Sequence, residues 1–374
     1  MNIEIITFTK GNEINLGGKL AGICYMPDNF EKLKNEDINK TINRAKRTME
    51  SGHHSVFEHY YFTLYLENIP KLFAMLLNNE KVYTTSEKSA RYTKMELQGK
   101  QKQIYDKWVE KLCVLIENKY GNQPYFDEKR IKKLAMENAR YFTSVMTPTS
   151  MAYTVSFRQL NYLCGWLKEF ETSTNPIYKM LSPYASEFVE IMSAWDILIP
   201  ELMDDGKNRE FSLIGKRVRE EQFGECYSVN YLASYACLAQ AQRHRTLHYE
   251  MMPLEHKEFY IPFILTEDTK LIKEWLRDMW DVAEFTPQGE MLLVNERGDY
   301  ENLILKAKER LCTSAQYEVM RNTKDTIEKI IKNTNNEFVK KDLEKINCGA
   351  RCMSGFKCAT PCAFKEGIDL SRII

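Results

Sequence analysis

Two stretches of the chain, HYYFTLYLENIPKLFAMLL (residues 59–77) and ECYSVNYLASYACLAQAQ (residues 225–242), follow the same plan. Each opens with a strand-like run rich in aromatic residues and continues as a run typical of a helix. The first stretch lies in the N-terminal half of the chain and the second lies in the C-terminal half. A strand followed directly by a helix, once in each half, makes internal repetition the first hypothesis about the fold.

Further matches keep the same order in both halves. LIKEWLRDMW (residues 271–280) parallels IYDKWVEKLC (residues 104–113), and TPQGEMLLV (residues 286–294) parallels TPTSMAYTV (residues 147–155). Between the halves, PELMDDGKNREF (residues 200–211) places proline and glycine among charges and is the predicted linker. We therefore predict a tandem duplication, with a first repeat over 1–205, a second over 206–345 and a cysteine-rich tail over 346–374.

The composition limits the classes of function. The chain has 374 residues with 52 basic and 52 acidic side chains, so nothing points to a nucleic-acid polymer and any anion site must be local. We see neither a charged leader with an apolar run nor an apolar stretch of membrane-spanning length, so we expect no secretory signal and no membrane span. Of the ten cysteines, four lie in the last 27 residues and the others are scattered, which is not the distribution of a disulfide framework, so we expect a cytoplasmic protein with reduced thiols.

The segment LAQAQRHRTLHYEMM (residues 238–252) raises the question of a bound anion. Arg243, His244 and Arg245 are adjacent at the end of a mostly small and apolar run. Adjacent basic side chains repel one another unless negative charge is close by. Their proximity therefore predicts an anionic ligand at this point of the chain.

A polar segment of the first half, SGHHSVFEHYYF (residues 51–62), is a second candidate. It places His53, Ser55 and Glu58 at the start of a strand. These side chains could line a ligand site. The alternative is a polar strand end with one buried histidine.

A third candidate is TTSEKSARYTKM (residues 84–95), which offers Glu87, Ser89 and Arg91. A serine hydroxyl, a backbone N–H and an arginine fork within three residues can hold a phosphate. The alternative is a surface turn with solvated charges.

Together these motifs resemble the flavin-dependent thymidylate synthase family. GHHSVFEHYYFTL is similar to the His-x-x-x-x-Glu-His motif of that family, and SEKSARY is similar to its Glu-x-Ser-x-Arg-Tyr phosphate loop. In the family an Arg-His-Arg triplet stands shortly before this loop. The first half has Asn79, Glu80 and Lys81 there, whereas the second half has the triplet and lacks the loop. Each half keeps what the other has lost.

The same division continues downstream. Arg140 and Arg158 of the first half match two arginines of the family. In the family a later arginine, followed by an Ala-Gln dipeptide, reads the pyrimidine base. Arg310 in KERLCTSAQYEV matches it, while the first half has Leu167. Gln240 matches a glutamine that precedes the triplet in the family.

The resemblance implies a fold and an assembly. We expect an α+β protein made of two divergent tandem copies of the flavin-dependent thymidylate synthase fold, with mixed helices around a small, mainly antiparallel sheet. The family forms homotetramers whose active sites lie between subunits. One subunit contributes the triplet, the glutamine and the late arginine, and another contributes the phosphate loop and the earlier arginine. The repeats divide these groups in the same way, so the chain would form a homodimer that mimics the tetramer.

The reaction that the resemblance implies is the reductive methylation of dUMP to dTMP, with FAD as cofactor and methylenetetrahydrofolate and NADPH as co-substrates. Reduced flavin tends to become an anion, which nearby cations stabilise. The implied roles are catalysis for Arg310, Arg243 and His244; substrate binding for Gln240, Glu87, Ser89, Ala90, Arg91 and Arg140; and cofactor binding for His53, Ser55, Glu58, Arg158, Arg243, His244 and Arg245.

Some positions depart from the family. Ser156 and Tyr162 stand where asparagines often flank the inner-helix arginine, and the second half has Asp299 and Glu301 where the family would have Asn and Arg. The one-carbon donor is therefore less defined than the nucleotide. Two alternatives stay open: a flavin- and folate-dependent modification of another pyrimidine nucleotide, and a non-catalytic nucleotide-binding paralogue.

The tail contains a separate cysteine motif. NCGARCMSGFKCATPC (residues 347–362) places Cys348, Cys352, Cys358 and Cys362 in the spacing C-x3-C-x5-C-x3-C. Four thiolates so close suit tetrahedral zinc or an iron–sulfur cluster, although the usual C-x2-C pair is missing. The alternative is a set of reduced surface thiols.

Overall fold

The computed structural model describes residues 1–27, 29–88, 97, 99–204, 213–347, 349, 351–354, 362–364 and 370–374. The strands are β1 (Asn2–Phe8), β2 (Tyr61–Pro70), β3 (Tyr83–Glu87), β4 (Pro148–Ser156), β5 (Gln222–Phe223), β6 (Cys226–Ser234), β7 (His248–Pro253) and β8 (Met291–Asp299). The helices are α1 (Glu13–Tyr25), α2 (Phe30–Lys34), α3 (Ile38–Glu50), α4 (Lys71–Leu77), α5 (Gly99–Tyr120), α6 (Glu128–Ala139), α7 (Phe157–Lys168), α8 (Pro176–Ala194), α9 (Pro200–Met203), α10 (Tyr235–Ala241), α11 (Thr269–Asp281), α12 (Tyr300–Arg310), α13 (Tyr317–Asn333) and α14 (Glu337–Ile346). Within this described part, none of the helices has the length and apolar character needed to span a bilayer.

The strands form two antiparallel sheets with the same strand order. The first sheet runs β1-β2-β4-β3 and the second runs β5-β6-β8-β7, each with four strands. In each sheet the central pair consists of the strands that come second and fourth along the chain, which are β2 with β4 and β6 with β8. The structure confirms a mixed α+β protein with small antiparallel sheets. It also confirms the strand–helix plan of residues 59–77 and 225–242, which form β2–α4 and β6–α10.

The chain divides into two compact units. The first consists of Met1–Lys88 and Pro148–Phe211, and the second consists of Ser89–Thr147 and Ser212–Ile374. The first sheet lies in the first unit and the second sheet lies in the second. The segment 89–147 belongs to the second unit because the apolar face of α5 is buried in that unit's core, where Trp108 meets Trp275 of α11. These units are discontinuous, unlike the continuous repeats 1–205 and 206–345, whose boundaries stay a prediction.

Helix caps allow the two sheets to be compared position by position. Ser156 caps α7 and Asp299 caps α12, each through a side-chain oxygen that accepts a backbone N–H. The capping residues also pair with the first residues of β2 and β6. Counted from these caps, Leu167 of α7 is equivalent to Arg310 of α12. Counted from the C-terminal ends of α4 and α10, residues 79–81 are equivalent to the triplet 243–245.

Two segments of the second unit exchange reciprocal hydrogen bonds. The Val145 N–H donates to the Thr286 carbonyl at 3.0 Å, and the Gln288 N–H donates to the Thr143 carbonyl at 2.7 Å. Counted back from β4 and β8, Val145 is equivalent to Gln288, and Thr143 is equivalent to Thr286. Reciprocal contacts between equivalent residues are the pattern of a two-fold related pair. The sequence parallel of 286–294 with 147–155 is therefore out of register, because strand pairing rather than a shared Thr-Pro dipeptide fixes the position.

Candidate functional site

A buried hydrogen-bond network in the second unit joins three of the predicted site residues. Arg140 lies in the short 3-10 turn after α6, and its guanidinium donates to Gln316 Oε1. The Gln316 backbone N–H donates to Gln240 Oε1 at 3.2 Å. Arg310, the last residue of α12, donates to the Gln240 carbonyl at 3.3 Å. Gln316, only 2% exposed, is therefore the hub that links Arg140 to Gln240, and Gln240 in turn contacts Arg310.

A second layer of buried groups fixes this hub. Gln316 Nε2 donates to the Tyr141 hydroxyl at 2.5 Å, and that hydroxyl donates to Glu318 Oε2 at 2.8 Å. Ser234 also donates to Glu318, from its hydroxyl at 2.6 Å and its backbone N–H at 2.8 Å. Burial raises the pKa of Glu318, although these hydrogen bonds oppose that shift. Because Gln316, Tyr141 and Glu318 all have hydrogen-bond partners, the layer holds the Gln316 amide in one orientation.

His244, the middle residue of the triplet, is a neutral imidazole at the edge of this network. Burial lowers its pKa from the usual 6.5 to about 3, and the positive charges of Arg310 and Lys306 add to the shift. Its Nε2 is buried and has no hydrogen-bond partner among the described residues. Arg243 and Arg245 on either side are exposed. The triplet thus presents two accessible cations around one buried polar nitrogen, an arrangement that suits an anionic ligand with a hydrogen-bonding group.

A buried ion pair lies beneath Arg310. Lys306, one turn earlier on α12, contacts Glu296 of β8 at 2.5 Å, and both side chains are almost fully buried. Glu296 also accepts hydrogen bonds from the hydroxyls of Tyr227 and Tyr231, each at 2.8 Å. These bonds satisfy the carboxylate, so the pair is tolerated in the core. The Lys306 charge close to His244 helps to keep that imidazole neutral.

The C-terminal residues hold the turn between α12 and α13. The guanidinium of Arg372, 1% exposed, donates to the Thr313 carbonyl at 2.9 Å and also to the Ala315 carbonyl. Its guanidinium lies 5.0 Å from the centre of the Phe364 ring. The same turn leads directly into Gln316. The tail therefore contributes to the position of the hub residue.

The predicted cofactor residues of the first unit form a separate group. Arg158, near the start of α7, makes an ion pair with Glu58. His53 and Ser55 are exposed, and the His53 ring lies 5.9 Å from the ring of Tyr25. His54 is the buried histidine of this segment, and its Nε2 lies 3.0 Å from the Met49 carbonyl. The alternative of a polar strand end with one buried histidine thus describes part of this segment.

The predicted phosphate loop is described only at its beginning. Glu87, the last residue of β3, contacts Lys71 at 2.5 Å and Asn78 at 3.1 Å. Its side chain is therefore a structural partner of α4 in the first unit. The other predicted members, Ser89, Ala90 and Arg91, lie outside the described residues.

The cysteine motif is described only in part. Cys352 and Cys362 are exposed free thiols, while Cys348 and Cys358 lie outside the described residues. Cys362 Sγ lies 3.6 Å from the Thr313 hydroxyl. Within the described part of the chain, no cluster of three or more His, Cys, Asp or Glu residues could hold a metal ion. The four-cysteine metal site stays a prediction.

Sequence reasoning missed several members of this site. Tyr141, Glu318 and Arg372 had no motif that marked them. Gln316 had one signal, the Ala-Gln dipeptide after Arg310. The missed groups are buried supports, and their roles become visible only through their contacts.

Comparison with known proteins shows which family part of this chain resembles. The model of the thymidylate synthase complementing protein family matches residues 5–166. The match confirms the resemblance to this family over these residues. The flavin-dependent thymidylate synthase of Pyrococcus furiosus is 21% identical over 150 residues, which is 37% of this chain and 57% of that relative. The alignment thus spans little more than half of the relative's length.

Two of the solved structures similar to this chain contain a bound uracil nucleotide or its analogue. The UMP/dUMP methylase PolB from Streptomyces cacaoi, bound with 5-Br dUMP, is 16% identical; the match covers 55% of this chain and 93% of that chain, with a TM-score of 0.35. The flavin-dependent thymidylate synthase of Helicobacter pylori, complexed with FAD and dUMP, is 15% identical; the match covers 54% of this chain and 96% of that chain, with a TM-score of 0.33.

Proposed function

We propose that this chain is a flavin-dependent thymidylate synthase that methylates dUMP reductively to dTMP, with methylenetetrahydrofolate and NADPH as co-substrates. Its two repeats would share one composite site. The observation that supports this proposal is the hydrogen-bond chain that runs from Arg140 through Gln316 to Gln240 and on to Arg310. Arg140 comes from the first predicted repeat, and the other two predicted site residues come from the second.

The residue types fit the binding of a uracil nucleotide. Arg310 would donate to a carbonyl oxygen of the ring, where it stabilises the negative charge that develops as carbon 5 attacks. The buried Gln240 would face the ring edge. Arg140, with Ser89, Ala90 and Arg91 of the phosphate loop and with Glu87 orienting that loop, would bind the 5′-phosphate. A buried network behind these groups would keep them in place during the reaction.

The triplet fits an anionic cofactor such as FAD. Arg243 and Arg245 are exposed cations, and the buried His244 Nε2 between them has no hydrogen-bond partner in the described part of the chain. FAD would supply the hydride that reduces the transferred methylene to a methyl group. The two arginines would neutralise cofactor phosphate and the reduced ring, while His244 would orient a polar atom. His53, Ser55, Glu58 and Arg158 would complete the flavin site.

The equivalent positions of the other sheet lack this chemistry, which supports a single composite site in each pair of repeats. Leu167 is equivalent to Arg310, and Leu76 is equivalent to Gln240. Ala283 is equivalent to Arg140 when counted from β8 and β4. A homodimer of this chain would therefore have fewer complete sites than a homotetramer of single repeats.

The test begins with the visible spectrum of the purified protein, incubated with FAD and desalted, with and without dUMP. We expect a retained flavin spectrum that changes when dUMP is added. Release of tritium from carbon 5 of labelled dUMP should then require both methylenetetrahydrofolate and NADPH. A protein that retains no flavin under either condition contradicts the proposal and favours the non-catalytic nucleotide-binding paralogue.

The identity of the nucleotide is tested in the same assay. UMP and dCMP are offered in place of dUMP at equal concentration. We expect turnover of dUMP to exceed that of either alternative. A preference for another pyrimidine nucleotide would favour the related modification, consistent with the unusual Ser156 and Tyr162 positions.

A further inference from the structure

Helices α5 and α11 pack against each other in the second unit through a pair of tryptophans. The rings of Trp108 and Trp275 are fully buried, and their centres lie 4.8 Å apart in an edge-to-face arrangement. The sequence parallel of residues 104–113 with 271–280 makes these two tryptophans equivalent. In a self-complementary contact, a residue that touches its own equivalent lies on the two-fold axis.

Charged side chains on both sides of the tryptophans are reciprocal in position and opposite in sign. Lys107 Nζ lies 2.5 Å from Asp278 Oδ2 and 2.6 Å from Glu274 Oε1, and Lys111 Nζ lies 2.5 Å from Glu274 Oε2. In the aligned helices Glu274 is equivalent to Lys107, and Asp278 is equivalent to Lys111. The two lysines of one repeat thus face two carboxylates at the same positions of the other.

The hydrogen bonds of Lys107 and Glu274 favour the charged forms of these two side chains. Burial alone would lower the pKa of Lys107, but its bonds to Asp278 and Glu274 raise the pKa above the usual value. Burial alone would raise the pKa of Glu274, but Lys107 and Lys111 lower it. The mixed pair of helices is therefore electrostatically favourable. A pair of two first repeats would bring lysines against lysines, and a pair of two second repeats would bring carboxylates against carboxylates.

We propose that the α5–α11 contact is a recognition surface that selects a second repeat as the partner of a first repeat and disfavours pairing of like repeats. This inference rests on the tandem duplication within the proposed function. The contact also bears on the proposed site, because α5 packs against the turn that contains Arg140. Gln101 of α5 donates to the Phe142 carbonyl at 3.2 Å, and the Phe142 ring stacks on Trp108 with centres 6.0 Å apart. The helix that recognises the partner thus also holds the turn with Arg140.

Only the mixed pairing can complete the site. Arg140 reaches Gln316 beside Gln240 and Arg310, which belong to the second repeat. In a pairing of two first repeats, the corresponding positions would be Leu76 and Leu167, which offer no hydrogen-bonding groups. Selection by charge would therefore favour the pairing that brings the proposed binding residues together.

A charge-reversal cycle on the full chain tests the proposal. The variants are Lys111→Glu, Glu274→Lys and the two combined, which leave the Lys107–Asp278 pair and the bond from Trp108 Nε1 to Asp278 intact. We expect each single variant to lose about 5 °C in Tm or more, and the combined variant to recover more than half of the summed loss. The control cycle reverses Lys102 and Asp106, an exposed pair on α5, and should change Tm little.

The measurement uses protein without flavin or nucleotide, so failure of the proposed enzyme activity does not affect it. Recovery of less than half of the summed loss, or single variants as stable as the control, would overturn the charge selection. If a reversed variant does not fold, the neutral cycle Lys111→Met and Glu274→Gln is scored by the same criterion. In the combined variant, dUMP binding should recover together with Tm if the contact also assembles the site.

Discussion

The connection that follows α10 and the connection that follows α4 occupy equivalent places in two sheets of the same strand order, but they carry different chemistry. The first has Asn79, Glu80 and Lys81, whose charges cancel, whereas the second has two exposed arginines around a neutral His244. Beneath the second lies the buried Lys306–Glu296 pair, where the other sheet has Leu163 and Tyr153. The shared strand order therefore does not by itself predict an anion site. The proposed site depends on side chains that the second sheet has and the first sheet lacks.

The largest predicted effect comes from a substitution that makes α12 resemble α7. Arg310→Leu introduces the residue found at the equivalent position of the first sheet. Because it removes the guanidinium that would face the pyrimidine, we expect dTMP formation to fall about 100-fold or more. Tritium release from labelled dUMP measures the loss, and thermal unfolding should show a folded protein.

The matched control for this prediction is Glu309→Leu, an exposed change at the adjacent position of α12. It should leave turnover within about twofold of wild type. An Arg310→Leu enzyme that keeps more than a tenth of its turnover would show that the difference between the two helices is not the source of activity.

The second prediction concerns the support of the hub. Tyr141→Phe removes the hydroxyl that accepts from Gln316 and donates to Glu318, so the buried Gln316 Nε2 loses this acceptor and Glu318 keeps only its bonds from Ser234. We expect the free energy of unfolding to fall by about 1–3 kcal/mol and nucleotide affinity to weaken with it. Urea titration measures the first effect. Tyr105→Phe on α5 is the control, and equal stability of the two variants would contradict the role of the network.

Much of the fold could be predicted because the strands and helices of both sheets have local sequence patterns. The aromatic strand and the helix after it are readable in residues 59–77 and again in 225–242, and the structure confirms both. The compact units could not be predicted in this way. The segment 89–147 follows the first sheet in sequence, but Trp108 is buried against Trp275, so tertiary packing assigns it to the other unit. A helix pattern shows which face is buried and not which partner covers it.

The candidate site was predictable where side chains are chemically unusual for their place. A run of Arg243, His244 and Arg245 predicts a ligand, and in the structure the positive charge of Arg310 helps to lower the pKa of the buried His244. The contact partners were not predictable. Tyr141 and Glu318 look like ordinary core and surface residues in sequence, and only their meeting at Gln316 and Ser234 gives them a role. Pairings between residues distant in sequence leave no local pattern.

A smaller difference in FAD binding is expected between variants of the connection after α10 and the connection after α4. Arg243→Ala removes an exposed cation from the triplet, and Lys81→Ala is the nearest cationic change in the equivalent connection. We expect the first to weaken FAD retention about tenfold, since a charge-assisted bond to the cofactor is lost, and the second to have no effect. Titration of FAD by absorbance or fluorescence gives both affinities. Equal losses in the two variants would remove the asymmetry.

The smallest effect concerns the buried imidazole. The pKa of His244 is lowered to about 3 in the folded protein, whereas an unfolded chain has the usual value of 6.5. Between these values the unfolded state binds a proton that the folded state excludes, so His244 makes stability rise with pH in this window and fall as the solution is acidified. In His244→Asn this contribution is absent, and unfolding free energies measured from pH 6.5 towards pH 3 should decline less steeply than in wild type. The exposed His53→Asn serves as the control and should follow the wild-type slope. If the His244→Asn and wild-type slopes coincide, the imidazole is not held neutral by its surroundings, and the second connection would then differ from the first only through its arginines.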